Sequence, residues 1–209
     1  MDIQGAKEKF GLRIPIFKDE LKDFFDVQND NTFNQYLSGL VKFNLINKVE
    51  NGIYYFPSDD ERFKNLKPDL QEIVKRKYLE DYKGIRTGAY LVYKYKLTTQ
   101  VSTYYEVITN NVSRNTRAKK EFRNNVIVWS SKFQIDKNNY LYAEFLELVN
   151  NMSLSDYNYK TTKVMLSNIF LKLKLNKEKT LKFSNYYKGG VHSQFRKRIK
   201  EILDEVAWK

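Results

Sequence analysis

From Lys18 the chain reads KDELKDFFD, with apolar Leu21, Phe24 and Phe25 at helical spacing and acids near the start. A polar turn, DVQND, follows. The next stretch, NTFNQYLSGLVKFN, places Phe33, Tyr36, Leu37, Leu40 and Val41 at i, i+3, i+4, i+7 and i+8, one apolar stripe of an amphipathic helix. Asp30 or Asn31 is its expected N-cap. LINKV and IYYF are then two short β-type runs on either side of Asn51-Gly52, a strong hairpin signal, and Pro57 ends the second. Helix, turn, helix and hairpin in that order is the layout of a winged helix-turn-helix.

Beyond the polar stretch FPSDDERFKNLK, the segment KPDLQEIVKRKYLEDYKG reads as a helix. Asp69 is its expected cap, Glu72 the capping-box partner, Leu70, Ile73, Val74 and Tyr78 its stripe, and Gly84 its left-handed stop. In TGAYLVYKYKLTTQV, Thr87 is expected to cap a second helix whose Leu91, Val92 and Tyr95 face inward. A strand is expected in STYYEVIT, a turn at Asn110-Asn111, then a basic arm, SRNTRAKKEFR, and a β run, NNVIVWSS. Residues 138–209 read as helical, in LYAEFLELV, KTTKVMLSNIFLKLKL and VHSQFRKRIKEILDEV, with Gly189-Gly190 as a break. The expected fold is α+β: a winged helix-turn-helix over 1–57, a linker over 58–68, and a larger mixed α+β domain over 69–209 that ends in helices.

Charge separates the same two parts. Residues 1–57 hold 7 Lys+Arg against 8 Asp+Glu, and residues 58–209 hold 30 against 17. The formal charge of +12 points to a polyanionic partner, nucleic acid or an acidic protein surface, although a Lys-rich composition alone also produces it. Arg114, Arg117, Lys119, Lys120 and Arg123 form one basic cluster, and Arg196, Lys197, Arg198 and Lys200 another. Both are candidates for an anion-facing surface; a solvated charged face is the alternative. On the second helix of the N-terminal motif, Thr32, Asn34, Gln35, Ser38 and Lys42 lie off the apolar stripe, and the wing adds Lys48 and Asn51. Asn and Gln pair bidentately with adenine, and Ser and Thr bond base edges or phosphate. These seven are the candidate DNA-binding residues; a winged helix that docks protein is the other reading of the same segment.

The order GIYYFP, then PDLQEIVK, then TGAYLVYKYKLTTQVSTYYEVITNN resembles the AbiEi-type antitoxin family of type IV, abortive-infection toxin–antitoxin systems. The matching positions are Gly52, Tyr54, Tyr55, Pro57, Thr87, Gly88, Ala89, Leu97, Thr98, Thr99, Gln100, Val101, Val107, Thr109 and Asn110, within a similarity over roughly 10–135. The resemblance implies an N-terminal winged helix that represses its own operon at repeated operator sites. It also implies a C-terminal domain active against a nucleotidyltransferase-like toxin, and no catalysis by the antitoxin. Two positions depart from the family pattern: Leu37-Ser38-Gly39-Leu40 stands where relatives carry Arg after the Ser, and Phe56 stands where they often carry Arg before the Pro.

Chemistry excluded by composition is extensive. There is no cysteine and only one histidine, His192, so disulfides, thiol catalysis, Cys-ligated zinc and His-pair metal sites are absent. Neither a P-loop nor a G-x-G-x-x-G is present. Glu106, Glu144 and Glu147 are available carboxylates, but no D-x-D pair lies on one strand. No enzyme activity, cofactor, metal or small-molecule substrate is expected. No apolar run approaches a membrane span, so the expected location is cytoplasmic. The expected function is a non-enzymatic antitoxin that neutralises its toxin, or protects the toxin's RNA target, and represses its operon. The alternatives are a stand-alone winged-helix repressor whose large domain dimerises or senses an effector and, further off, a nuclease.

Overall fold

The computed structural model describes residues 2–113, 118–187 and 192–207. It is mixed α+β: N-terminal helices with a small antiparallel sheet, then a mixed sheet, then C-terminal helices. The chain forms two compact units, Met1–Ile73 and Val74–Lys209.

In the first unit, α1 (Ile3–Phe10) is followed by β1 (Ile16–Phe17), α2 (Lys18–Phe24), α3 (Asp30–Lys42), β2 (Asn47–Glu50) and β3 (Ile53–Tyr55). The helix-turn-helix and hairpin stand where the apolar pattern puts them. The α3 cap is Asn29, one residue earlier than the pattern suggests: its Oδ1 accepts from the N–H groups of Asn31 and Thr32 at 2.9 and 3.0 Å. Asn29 alone of these residues keeps the extended backbone a cap needs, whereas Asp30 already lies in the first turn and pairs with Lys22 at 2.7 Å. Gly52 turns the wing with φ +81. The sheet order is β1-β3-β2, so the two-residue β1 turns the hairpin into a three-stranded sheet. Phe33, Leu37 and Leu40 of α3 pack with Ile16, Leu21, Ile46 and Phe56. Each such side chain contributes about 2 kcal/mol by leaving water.

The second unit is built on a four-stranded sheet of β4 (Gly84–Arg86), β5 (Tyr105–Thr109), β6 (Lys119–Glu121) and β7 (Val126–Ser130), ordered β4-β5-β7-β6. β5 and β7 run parallel and the outer pairs antiparallel. Part of the expected basic arm is thus the edge strand β6; Arg114 and Arg117 lie outside the described residues. Around the sheet are α5 (Gly88–Lys94), α6 (Tyr140–Asn150), α7 (Tyr159–Lys172), α8 (Lys177–Ser184) and α9 (His192–Ala207). α8, capped by the Asn176 side chain at 3.0 Å, occupies a stretch whose apolar pattern is too sparse to announce a helix.

The helix expected from Asp69 to Gly84 is much shorter. Asp69 does cap α4 (Leu70–Val74), accepting from the Gln71 N–H at 2.9 Å. A π-helical turn over Lys75–Leu79 and a 3-10 turn over Glu80–Tyr82 follow, with positive φ at Asp81 and Tyr82. Gly84 is therefore no helix stop but the first residue of β4. A Cβ there would lie 2.4 Å from the Ile108 carbonyl oxygen and 2.5 Å from that of Tyr78, so the strand and the π turn approach through the missing side chain.

Two polar anchors fix the loops around this sheet. Asn110 Nδ2 donates to the Ile135 carbonyl at 2.7 Å, while its Oδ1 accepts from the Ile135 N–H and the Ser131 hydroxyl at 2.9 and 3.0 Å. Asp156 accepts from the Thr99 N–H at 2.7 Å and from the hydroxyls of Thr98 and Thr99 at 3.0 and 3.1 Å. Gly84→Ala should destabilise the chain by about 3 kcal/mol, because the clash is with backbone on both sides. Urea denaturation followed by circular dichroism measures it, and an unchanged midpoint would refute the close approach.

Candidate functional site

The candidate DNA-binding residues are all exposed. Thr32, Gln35, Ser38 and Lys42 recur along α3 at three- and four-residue steps, with Asn34 beside them, and Lys48 and Asn51 stand on β2 and at the wing turn. Phe33, Leu37 and Leu40 hold the opposite face in the core, so this polar side is the one left to solvent. At Gly39, which departs from the antitoxin pattern, a Cβ would meet nothing within 4 Å.

The basic candidates divide between two elements. Lys119, Lys120 and Arg123 are exposed on and after β6. Lys119 lies 2.6 Å from Glu121, which also receives Lys77 at 2.8 Å and the Tyr78 hydroxyl. Burial works against charge on Glu121, but the donors Lys119, Lys77 and Tyr78 outweigh it and hold the carboxyl below its ordinary range. Arg196, Lys197 and Lys200 are exposed on α9 and Arg198 is partly covered. Lys197 reaches Glu201 only at 3.9 Å. Arg198 borders a shallow groove with Tyr159, whose hydroxyl bonds Glu201 and is pushed up to about 12 by burial and that carboxylate.

A site that sequence spacing does not reveal lies in the second unit: a cavity of about 440 Å³ whose walls include Thr87, Glu106, Trp129, Lys132, Glu147 and Asn151. Cross-strand register explains the convergence. Ile85, Ile108 and Trp129 lie side by side across β4, β5 and β7, and Glu106, Ile127 and Lys120 form the next row on that face. Trp129 is 43% exposed and lines this cavity beside Glu106. Gly88 (φ +64) lies directly under that carboxylate; a Cβ would sit 2.4 Å from Glu106 Oε1. Burial raises the pKa of Glu106, and the neighbouring Trp129 indole only partly opposes this.

Glu147 is buried in the same wall. Thr87, expected to cap α5, occupies the N-cap position without capping it. Its hydroxyl instead donates to Glu147 Oε2 at 3.3 Å and accepts from Asn151 Nδ2 at 3.3 Å. Burial pushes the Glu147 carboxyl up, against hydrogen bonds from Tyr187, Thr87 and Asn150 and the charge of Lys132. Tyr187, buried against Glu147, is raised well above its ordinary value, burial first and the carboxylate second. Among the described residues no group of three or more His, Asp or Glu could hold a metal ion, and no helix is long and apolar enough to cross a membrane.

Residues 16–132 match the profile of DUF6088, described as a family of unknown function. The chain belongs to that family. No curated protein matches the chain. The DUF6088 match runs from β1 to the end of the sheet region. It therefore takes in the exposed side of α3, the wing, Thr87, Gly88, Glu106, Trp129 and Lys132, but not Glu147 or α9.

A raised Glu147 pKa fixes the sign of its pH dependence. The folded state binds the proton more tightly than the unfolded one, so the destabilising cost of the ion is full above the folded pKa and fades as pH falls towards the unfolded value. Glu147→Gln should therefore raise Tm relative to the native chain at pH 8, with a gain that shrinks towards pH 5. Parallel melts across that range test this; a gain that grows on acidification would contradict it.

Proposed function

We propose that this DUF6088 chain is a non-enzymatic antitoxin and transcriptional regulator. It neutralises a nucleotidyltransferase-like toxin, by contact or through the toxin's RNA target, and represses its own operon at repeated operator sites. The observation that carries the reading is α3: a helix anchored by Phe33, Leu37 and Leu40 whose solvent side offers Thr32, Asn34, Gln35, Ser38 and Lys42, followed by a hairpin wing with Lys48 and Asn51. A helix of that kind enters the major groove, and its amide side chains match the paired donor and acceptor of adenine. The resemblance in TGA, LTTQV and β5 with the Asn110 that follows it supplies the toxin–antitoxin part of the proposal.

Several signature residues have structural tasks in the second unit. Thr87 bonds Glu147, Thr98 and Thr99 hold Asp156, and Asn110 anchors the 131–135 loop. They support a shared scaffold. The exposed Lys120, Arg123, Arg196, Lys197 and Lys200 supply the positive surface an acidic toxin or RNA would meet.

Two experiments test the proposal. Co-expression of the full chain with the product of an adjacent nucleotidyltransferase-like gene should restore growth; persistent toxicity would leave the stand-alone repressor as the better reading. In gel shifts against its own promoter, Asn34→Ala with Gln35→Ala should weaken binding by about 10-fold or more, since each bidentate base contact is worth about 1–3 kcal/mol. The same double variant should leave Tm nearly unchanged, because both side chains are exposed. Promoter binding that is insensitive to it would remove α3 from the interface.

A further inference from the structure

We propose that the cavity beside Trp129 binds the base of a guanine nucleotide. Its volume of about 440 Å³ is in the range of small-molecule sites. Trp129 supplies one aromatic wall, carried on the face of β7 that it shares with Ile127. A half-exposed indole on a paired strand is a stacking platform for a planar heterocycle.

The acceptor beside that platform selects the base. An ionised carboxylate only accepts; burial disfavours that form of Glu106, and a ligand bringing two N–H donors restores it. Guanine alone among the bases presents two adjacent N–H donors, the ring imino and the exocyclic amino group, to two carboxylate oxygens. Adenine and cytosine offer one amino group there, and uracil one imino N–H. Glu147 is not a second reader, because it is buried and the Thr87 hydroxyl already donates to it; it forms a fixed polar wall. Lys132 is exposed at the cavity, and Lys120 stands on the same face of the sheet, so phosphate has cations within the same surface.

An arginine side chain from a protein partner would satisfy an indole and a carboxylate equally well. The excess of 30 basic over 17 acidic residues in 58–209 repels a cationic group and attracts an anionic one, which favours the nucleotide. A free guanine nucleotide and a guanine within single-stranded RNA share this chemistry. The inference stands apart from the antitoxin reading, which needs only α3 and the basic surfaces.

The test uses the full chain carrying Trp208→Phe, so that Trp129 is the remaining tryptophan. Titration with GMP, AMP, CMP and UMP should quench its fluorescence, with GMP bound about 10-fold or more tightly than the others. Glu106→Gln, confirmed folded by circular dichroism, should lower GMP affinity by about 10-fold and leave AMP within about twofold. Lys132→Ala should weaken GMP but not guanosine, an arm that remains decisive if the Glu106 variant does not fold. Comparing GMP with a uridine pentamer containing one guanine distinguishes the sources: a tighter pentamer assigns the site to RNA, and equal affinity assigns it to free nucleotide. Equal quenching by all four nucleotides, no loss of GMP affinity in a folded Glu106 variant, or displacement of GMP by arginine amide at lower concentration would overturn the proposal.

Discussion

A buried carboxylate must be given donors, and the second unit is arranged around that need at Glu147. The Thr87 hydroxyl, before α5, donates to it, and Tyr187, after α8, is buried beside it. Two segments distant in sequence are thereby held to α6. Apolar packing around Phe145, Leu148, Leu91 and Ile199 supplies most of the stabilisation, but it is non-directional. The hydrogen bonds to Glu147 add direction, because any donor that drifts leaves an ion in a dry interior.

Glu106 and Glu121 complete a contrast across the same sheet. Lys119 and Lys120 alternate on β6, so Lys119 and Glu121 share the face of Val126 and Val128, while Lys120 shares that of Ile127 and Trp129. On the first face, Lys77, Lys119 and Tyr78 hold Glu121 ionised. On the second, Glu106 and Glu147 are both held towards the protonated form by burial. The sheet thus separates a charge-paired carboxylate from two whose ionised forms burial disfavours. Perturbed carboxylates of the second kind cluster at functional sites.

How far the fold was legible follows from which forces leave a pattern. α3, α6, α7 and the wing could be read because one-sided burial writes a period into the chain: Phe33, Leu37 and Leu40 in α3, Asn51-Gly52 at the wing. α1 and β1 could not, since Ala6 and two residues of strand are too little pattern. The shortening of α4 was hidden because helical spacing continues through Tyr78 while the backbone changes to a π turn. Gly84 carries two meanings, a helix stop or a close approach, and only the neighbouring carbonyls of Ile108 and Tyr78 choose between them. The exposed candidates on α3 were legible as the positions off the stripe. The Trp129 cavity was not, because Glu106 and Glu147 come together through strand register and helix packing, neither of which leaves a spacing in the sequence. One sign was present: Trp129 alternates with Val126 and Val128 and so belongs to the other face of β7.

Gly39 bears on how this surface could change over time. It is the one glycine inside α3, and the space where its side chain would stand is open. Replacing a helical glycine with a longer residue removes backbone freedom from the unfolded chain and favours the helix by up to about 1 kcal/mol. A helix-forming residue, including a basic one, therefore starts from an open Cβ position there, on a helix still anchored by Phe33, Leu37 and Leu40. Some glycine and arginine codons differ by a single base. A positive charge at this point of α3 is thus separated from the packing of the helix and lies one mutational step away.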